Sequence, residues 1–263
     1  MNRFLASASG KVKVRVVLVC CVLGYFAFFI LGQTGIIPNL PARKVIATHR
    51  ERALSQARLI EGLRTAAGEA VATSQPWDEV SVQNITGVPV TARNTAVMHI
   101  ENMEDATRNL KEPRAMPVCF CDPYEVTSCI SLARTGRWPG NERVTFDSSS
   151  QRMEAMFQTL DQLHYLIVIR KSFYVGPEFT QPGSFTSGTY HADAFLFELP
   201  TGRMLGSFEF GATSSRSIQA TLPKGESIPN ERLEVDLSSN AASAFQGRLE
   251  GFLPTVAREK ETW

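Results

Sequence analysis

Residues 148–175 read SSSQRMEAMFQTLDQLHYLIVIRKSFYV. Met153, Met156, Phe157, Leu160 and Leu163 recur at the period of a helix with one apolar face. The pattern then changes. Leu166-Ile167-Val168-Ile169 is a continuous apolar run, as expected of a strand covered on both faces. Such a strand needs layers of structure on either side. The stretch therefore predicts a helix packed on a central strand, with a second layer supplied from elsewhere in the chain.

C-terminal to this stretch, Tyr190–Leu199 and Arg203–Gly211 are rich in Phe and read as strands. Between them Pro200-Thr201-Gly202 has hairpin chemistry, with Pro at the second turn position and Gly at the fourth. Residues 212–235 are rich in Ser, Thr, Pro and charge and read as a surface loop. A last helix is expected over Leu237–Phe252, with Phe245, Leu249 and Phe252 on one face and Pro254 as its stop. The order helix, strand, hairpin, helix predicts an α+β body with a mostly antiparallel sheet and flanking helices.

N-terminal to it, Asp122-Pro123-Tyr124-Glu125 is a helix start: Asp caps, Pro suits the first turn and Glu follows three residues on. Val126, Cys129, Ile130 and Ala133 share a face, and Gly136 ends the helix. Asn102–Leu110 reads as a short helix ended by Pro113. Val80, Val82, Val88, Val90 and Ala96–Ile100 suggest short strands. Residues 42–71 read as a long helix, with Ile46, Ala53, Ala57, Ile60, Leu63, Ala67 and Val71 near helical spacing. A coiled-coil stalk would place Ile46, Ala53, Ile60 and Ala67 at one core position but His49 and Gln56 at the other, where apolar residues are wanted. An amphipathic helix lying on its own domain fits better.

From Val16 to Leu31 no residue is charged or strongly polar, and the run continues to Ile37. About 20 apolar residues cross a bilayer core of about 30 Å as a helix. The run is longer than a signal-peptide core, Gly32-Gln33-Thr34-Gly35 is a poor cleavage site, and Cys20 and Cys21 lie inside it rather than after it. An uncleaved single-pass anchor is expected. Arg3, Lys11, Lys13 and Arg15 precede the run, against Arg43, Lys44 and Arg50 after it. This bias favours an N-terminus in the cytoplasm and a body outside it, in the periplasm if the cell is bacterial. The organisation expected is a cytoplasmic tail at 1–15, a transmembrane helix at 16–37, a juxtamembrane amphipathic helix at 42–72 and one extracytoplasmic α+β domain at 73–263.

The chain has 263 residues, 43% of them apolar and 20% charged, which excludes wholesale disorder. Net charge is +1, and the four basic residues before the apolar run leave the rest at −3. A slightly acidic body lacks the electrostatic footprint for nucleic acid.

Cys119, Cys121 and Cys129 form C-x-C-x7-C. Eight helical steps separate Cys121 from Cys129, about 12 Å, against the roughly 7 Å a disulfide permits between α-carbons. Cys129 is therefore expected to be a buried apolar group not bonded to Cys121. Zinc would need a fourth ligand, and His99, His164 and His191 are distant in sequence, so no metal is expected. His191-Ala192-Asp193 places a His and an Asp on one side of a strand, which could form an acid–base pair, though a strand-edge His beside a solvated Asp is commoner. Gly176–Tyr190, holding Phe179, Phe185 and Tyr190 among small polar residues, has the composition of a binding loop and equally of a long hairpin connection. No Walker loop, dinucleotide fingerprint, nucleophile elbow or H-E-x-x-H motif is present, and no cofactor is expected. The leading expectation is a membrane-anchored accessory protein of the cell envelope that binds another membrane or envelope protein. The alternatives are a ligand-sensing or carbohydrate-binding domain using Phe179, Phe185, Tyr190, His191 and Asp193, and a hydrolase working through His191 and Asp193.

Overall fold

A computed structural model describes residues 40–72, 77–103, 123–138, 149–181, 184–217 and 230–259. The helix and strand expected within 148–175 are α4 (Ser150–Gln162) and β2 (Tyr165–Val175). Ser149 caps α4, its hydroxyl accepting from the Arg152 amide at 3.2 Å. β2 is an inner strand of a four-stranded sheet ordered β1-β2-β5-β6, where β1 is Thr95–His99, β5 is Thr189–Glu198 and β6 is Arg203–Thr213. β1 runs parallel to β2, and the other two pairings are antiparallel. A separate small hairpin joins β3 (Glu178–Gln181) to β4 (Ser184–Thr186). The fold is α+β with a mostly antiparallel sheet.

The apolar run of β2 divides between two cores, as a doubly covered strand should. Leu166 and Val168 face a core that also holds Ala96, Met98, Phe195 and Phe197. Three helices cover it: α1 (Leu40–Glu69), α3 (Pro123–Thr135) and α4. Tyr165, Ile167 and Ile169 face the other core with Val97, Ala194, Leu196, Phe208 and Phe210. Over that face lie Trp77, α2 (Glu79–Thr86), α5 (Asn230–Phe252) and the short α6 (Pro254–Glu259). Each large side chain buried this way contributes roughly 1.5–3 kcal/mol relative to exposure.

α1 buries the face expected of it: Ile46, Ala53, Ala57, Ile60, Leu63 and Ala67 are all buried, and alanines at Ala53, Ala57 and Ala67 let the helix approach closely. It packs on α3 and α4 of its own chain. His49 and Gln56, awkward at a coiled-coil seam, face this interface differently. The His49 ring stacks on Phe157 at 5.2 Å and lies between Glu154 and Asp161, at 2.9 and 3.3 Å. Val71 lies beyond the helix and is exposed.

Several boundaries differ from expectation. Residues 79–86 form α2, not a strand. Asp78 caps it, accepting from the Ser81 amide at 2.7 Å, and Gly87 closes it in the left-handed region at φ 71°. The alternation of Val80 and Val82 misled, because only Val82 is buried and Val80 faces solvent. α5 starts seven residues before Leu237, within what reads as a loop, while β6 runs on to Thr213. Pro254 begins α6 rather than simply ending α5. α3 spans Pro123–Thr135 and ends at Gly136, φ 69°, whose amide donates to Leu132 O at 2.9 Å. Cys129 on this helix is fully buried, whereas Cys119, Cys121 and the cap Asp122 lie outside the described residues. The helix expected at Asn102–Leu110 falls mostly outside them too; Ile100–Met103 forms a single 3-10 turn. No helix among the described residues is long and apolar enough to cross a membrane, and residues 16–37 are not among them.

Candidate functional site

β2 and β5 continue as a two-stranded arm past the end of β1. β1 stops where His99 pairs with Ile169, while β2 goes on through Arg170 to Val175 beside β5. The base of this arm holds Arg170 and Asp193, paired in register. Arg170 donates to the Asp193 carboxylate at 2.8 Å. Its other terminal nitrogen lies 3.0, 2.9 and 2.8 Å from the carbonyls of Ala67, Gly68 and Ala70. Those are the carbonyls that a helix leaves unbonded at its C-terminus, so Arg170 caps α1. The guanidinium also lies over the Phe195 ring at 4.8 Å. Arg170 continues the side of β2 that carries Leu166 and Val168, a cation at the end of an apolar face, and that is the sequence signal for its role.

The sequence candidates are thereby separated. Asp193 is buried and spent on Arg170. His191 is exposed, with its ring against Gly211 and 6.1 Å from the Phe173 ring. Tyr190 points to the opposite side of β5 and packs on Phe210 at 6.0 Å. Burial, then the charge of Glu101, push its phenol up to about 12, so it stays protonated at neutral pH. Phe179 and Phe185 are cross-strand partners on the β3–β4 hairpin, each half-buried. The five residues do not converge on one cavity. His99 stands at the end of β1, held below the usual imidazole range by burial and by Lys171, against the opposing pull of Glu101. His164 lies at the far end of the sheet, 3.5 Å from Glu198. These three histidines are spread along the sheet, and no group of three or more metal-ligating side chains that could hold an ion exists among the described residues.

What the arm does present is apolar surface. Phe173, Tyr174 and Val175 are 53%, 45% and 47% exposed, three consecutive large side chains covering both faces of one strand. Among the described residues the other exposed large hydrophobics, Val71, Val80, Ile85 and Val235, stand singly, as is ordinary on a folded surface. Among the described residues no strand pairs with the outer edge of β2 beyond Ile169. A register shift between Lys171 and Phe173 marks a bulge at Ser172. In the sequence Phe173 and Tyr174 are masked by Arg170 and Lys171, where the apolar run ends.

Compared with known proteins, the chain matches no family, no characterised protein and no solved structure.

Proposed function

We propose that this chain is a membrane-anchored accessory protein of the cell envelope, which docks an extended segment of a partner envelope protein along the open edge of β2. The observation that carries the reading is the run Phe173-Tyr174-Val175, half exposed on a strand edge with no partner strand among the described residues. An open edge offers alternating N–H and C=O groups to an added strand, and flanking side chains supply selectivity. The edge also carries guards, the bulge at Ser172 and the charge of Lys171, which disfavour indiscriminate pairing. Aromatics next to such guards suit a specific partner better than self-association. The anchor rests on the apolar run at 16–37, and the placement of the body outside the cytoplasm on the Lys and Arg bias around it. The two alternative readings have less support: Phe179 and Phe185 pair with each other on a separate hairpin, and Asp193 serves as the counter-ion of Arg170.

The test uses the full chain in its native membrane. The double variant Phe173→Ser, Tyr174→Ser is expected to lose at least about tenfold in recovery of whichever envelope protein the wild type retains, a loss of roughly 1.4 kcal/mol or more. Val235→Ser, which alters a more exposed apolar residue elsewhere, is the control and is expected to change nothing. Equal recovery by both variants would refute the edge as the docking surface.

A further inference from the structure

The N-terminal turns of α1 and the C-terminal end of α3 enclose an open groove of about 800 Å³. Its floor is apolar, formed by Ile46 and Leu132, both buried. Four arginines line it: Arg43 and Arg50 from α1, Arg134 from the last turn of α3 and Arg137 just beyond it. Arg43 and Arg50 are seven residues apart, two helical turns or about 10.5 Å, and so share a face. Arg134 pairs with Glu61 and suits the last turn of its helix, where a cation complements the dipole. The other three have no such explanation. They are exposed, and no carboxylate among the described residues pairs with them. Arg43 also stands in the first turn of α1, with Lys44 directly after it, and that turn carries no acidic residue. Cations there oppose the positive end of the helix dipole, a local cost that an external anion would relieve. Arg137 is held in place by its backbone, its carbonyl accepting from the Ser131 hydroxyl at 2.9 Å.

We propose that this groove binds the phosphate headgroup of an anionic phospholipid. Guanidinium forks match phosphate oxygens two at a time, and the apolar floor suits the glycerol and upper acyl carbons rather than a bare ion. α1 begins at Leu40, three residues past the end of the apolar run at Ile37, so, resting on the anchor proposed above, Arg43 would stand at headgroup depth. The site lies toward the opposite end of α1 from Arg170 and is independent of the β2 edge.

The experiment titrates the full chain, in zwitterionic detergent, with short-chain phosphatidylglycerol, with phosphatidylcholine of the same chain length and with glycerol phosphate. Binding is followed by calorimetry. Saturable binding of phosphatidylglycerol is expected, weakened at least about tenfold by the double variant Arg43→Gln, Arg50→Gln and weakened separately by Arg137→Gln. All of these positions are exposed, so circular dichroism is expected to be unchanged. Arg58→Gln, on the same helix outside the groove, removes one charge as Arg137→Gln does, and is expected to bind as the wild type does. Three results would overturn the proposal: equal binding of phosphatidylcholine, which would reduce the site to apolar partition; equal binding of glycerol phosphate, which would make it a site for free phosphate esters; or double-variant binding matching that of Arg58→Gln.

Discussion

Arg170 shows how one side chain can settle what two others do. Its donors divide between a carboxylate on the neighbouring strand and the last carbonyls of α1, tying helix to sheet at one point. Removing it leaves Asp193 buried without its cation and α1 without its cap. Arg170→Met is expected to cost about 2–4 kcal/mol, somewhat under the range for a fully buried pair because a quarter of the Arg170 side chain meets solvent. Replacing both partners, Arg170→Met with Asp193→Leu, should recover part of that loss. Urea midpoints of the single and double variants check this. A single variant as stable as the wild type would mean the contacts are incidental. Glu198 gives a second expectation at this scale. Burial raises its carboxyl, but the Thr201 hydrogen bond and the charges of Arg203 and His164 outweigh that, leaving it below the ordinary value of 4.5. A depressed carboxyl stabilises the fold above its unfolded value and loses that contribution as pH falls through the lower folded one. Stability should therefore drop on acidification below about pH 4.5, with a shallower drop in Glu198→Gln. Urea titrations at a series of pH values measure both slopes, and parallel slopes would count against the linkage.

Among the elements, the aromatic stack beneath α5 is the most demanding. Trp77 donates to Ser207 O at 2.8 Å and stacks on Phe252 at 4.9 Å, with Phe208 beside both. The indole can sit there only because position 206 is Gly: a Cβ would fall 2.3 Å from the Trp77 ring. Gly206→Ala is expected to cost about 1–3 kcal/mol by overpacking and to red-shift Trp emission as the ring is displaced. Unchanged emission and stability would mean the stack gives way at no cost. Trp77 is also a measure of what the sequence could disclose. The helices α1 and α4 were legible because their apolar residues follow the helical period, and the strands β2, β5 and β6 because their apolar or Phe-rich runs have strand length and, for β5 and β6, flank hairpin chemistry. Trp77 was not, because it is held by a contact 130 residues away in the chain, and α2 was not, because the alternation of Val80 and Val82 masked its local caps at Asp78 and Gly87. β1 was only half legible: its run of apolar residues was plain, but its parallel pairing with β2 depends on a crossover through α3 and α4 that no local pattern records. The candidate site was legible least. His191 and Asp193 do share one side of β5, as alternation requires, yet Asp193 is claimed by Arg170, a residue the pattern of the apolar run set aside as its end.

On the scale of the whole molecule, α1 gives the body a direction. It is about 45 Å long; its first turns carry the arginine groove, and its last carbonyls meet Arg170 at the base of the aromatic arm. An anchor before α1, a lipid-facing groove at its start and a strand edge beyond its end would suit a part that reaches from the bilayer to a neighbour. The most direct measurement of that account is photocrosslinking in native membranes, with a photoreactive residue placed in turn at 173, 175, 80 and 235. Positions 173 and 175 lie on the open edge, and 80 and 235 are more exposed but elsewhere. The account predicts adducts with one envelope protein from 173 and 175, lost on competition with an extended peptide of that partner, and none from 80 or 235. Adducts only with a second copy of this chain, or equal labelling from all four positions, would contradict it.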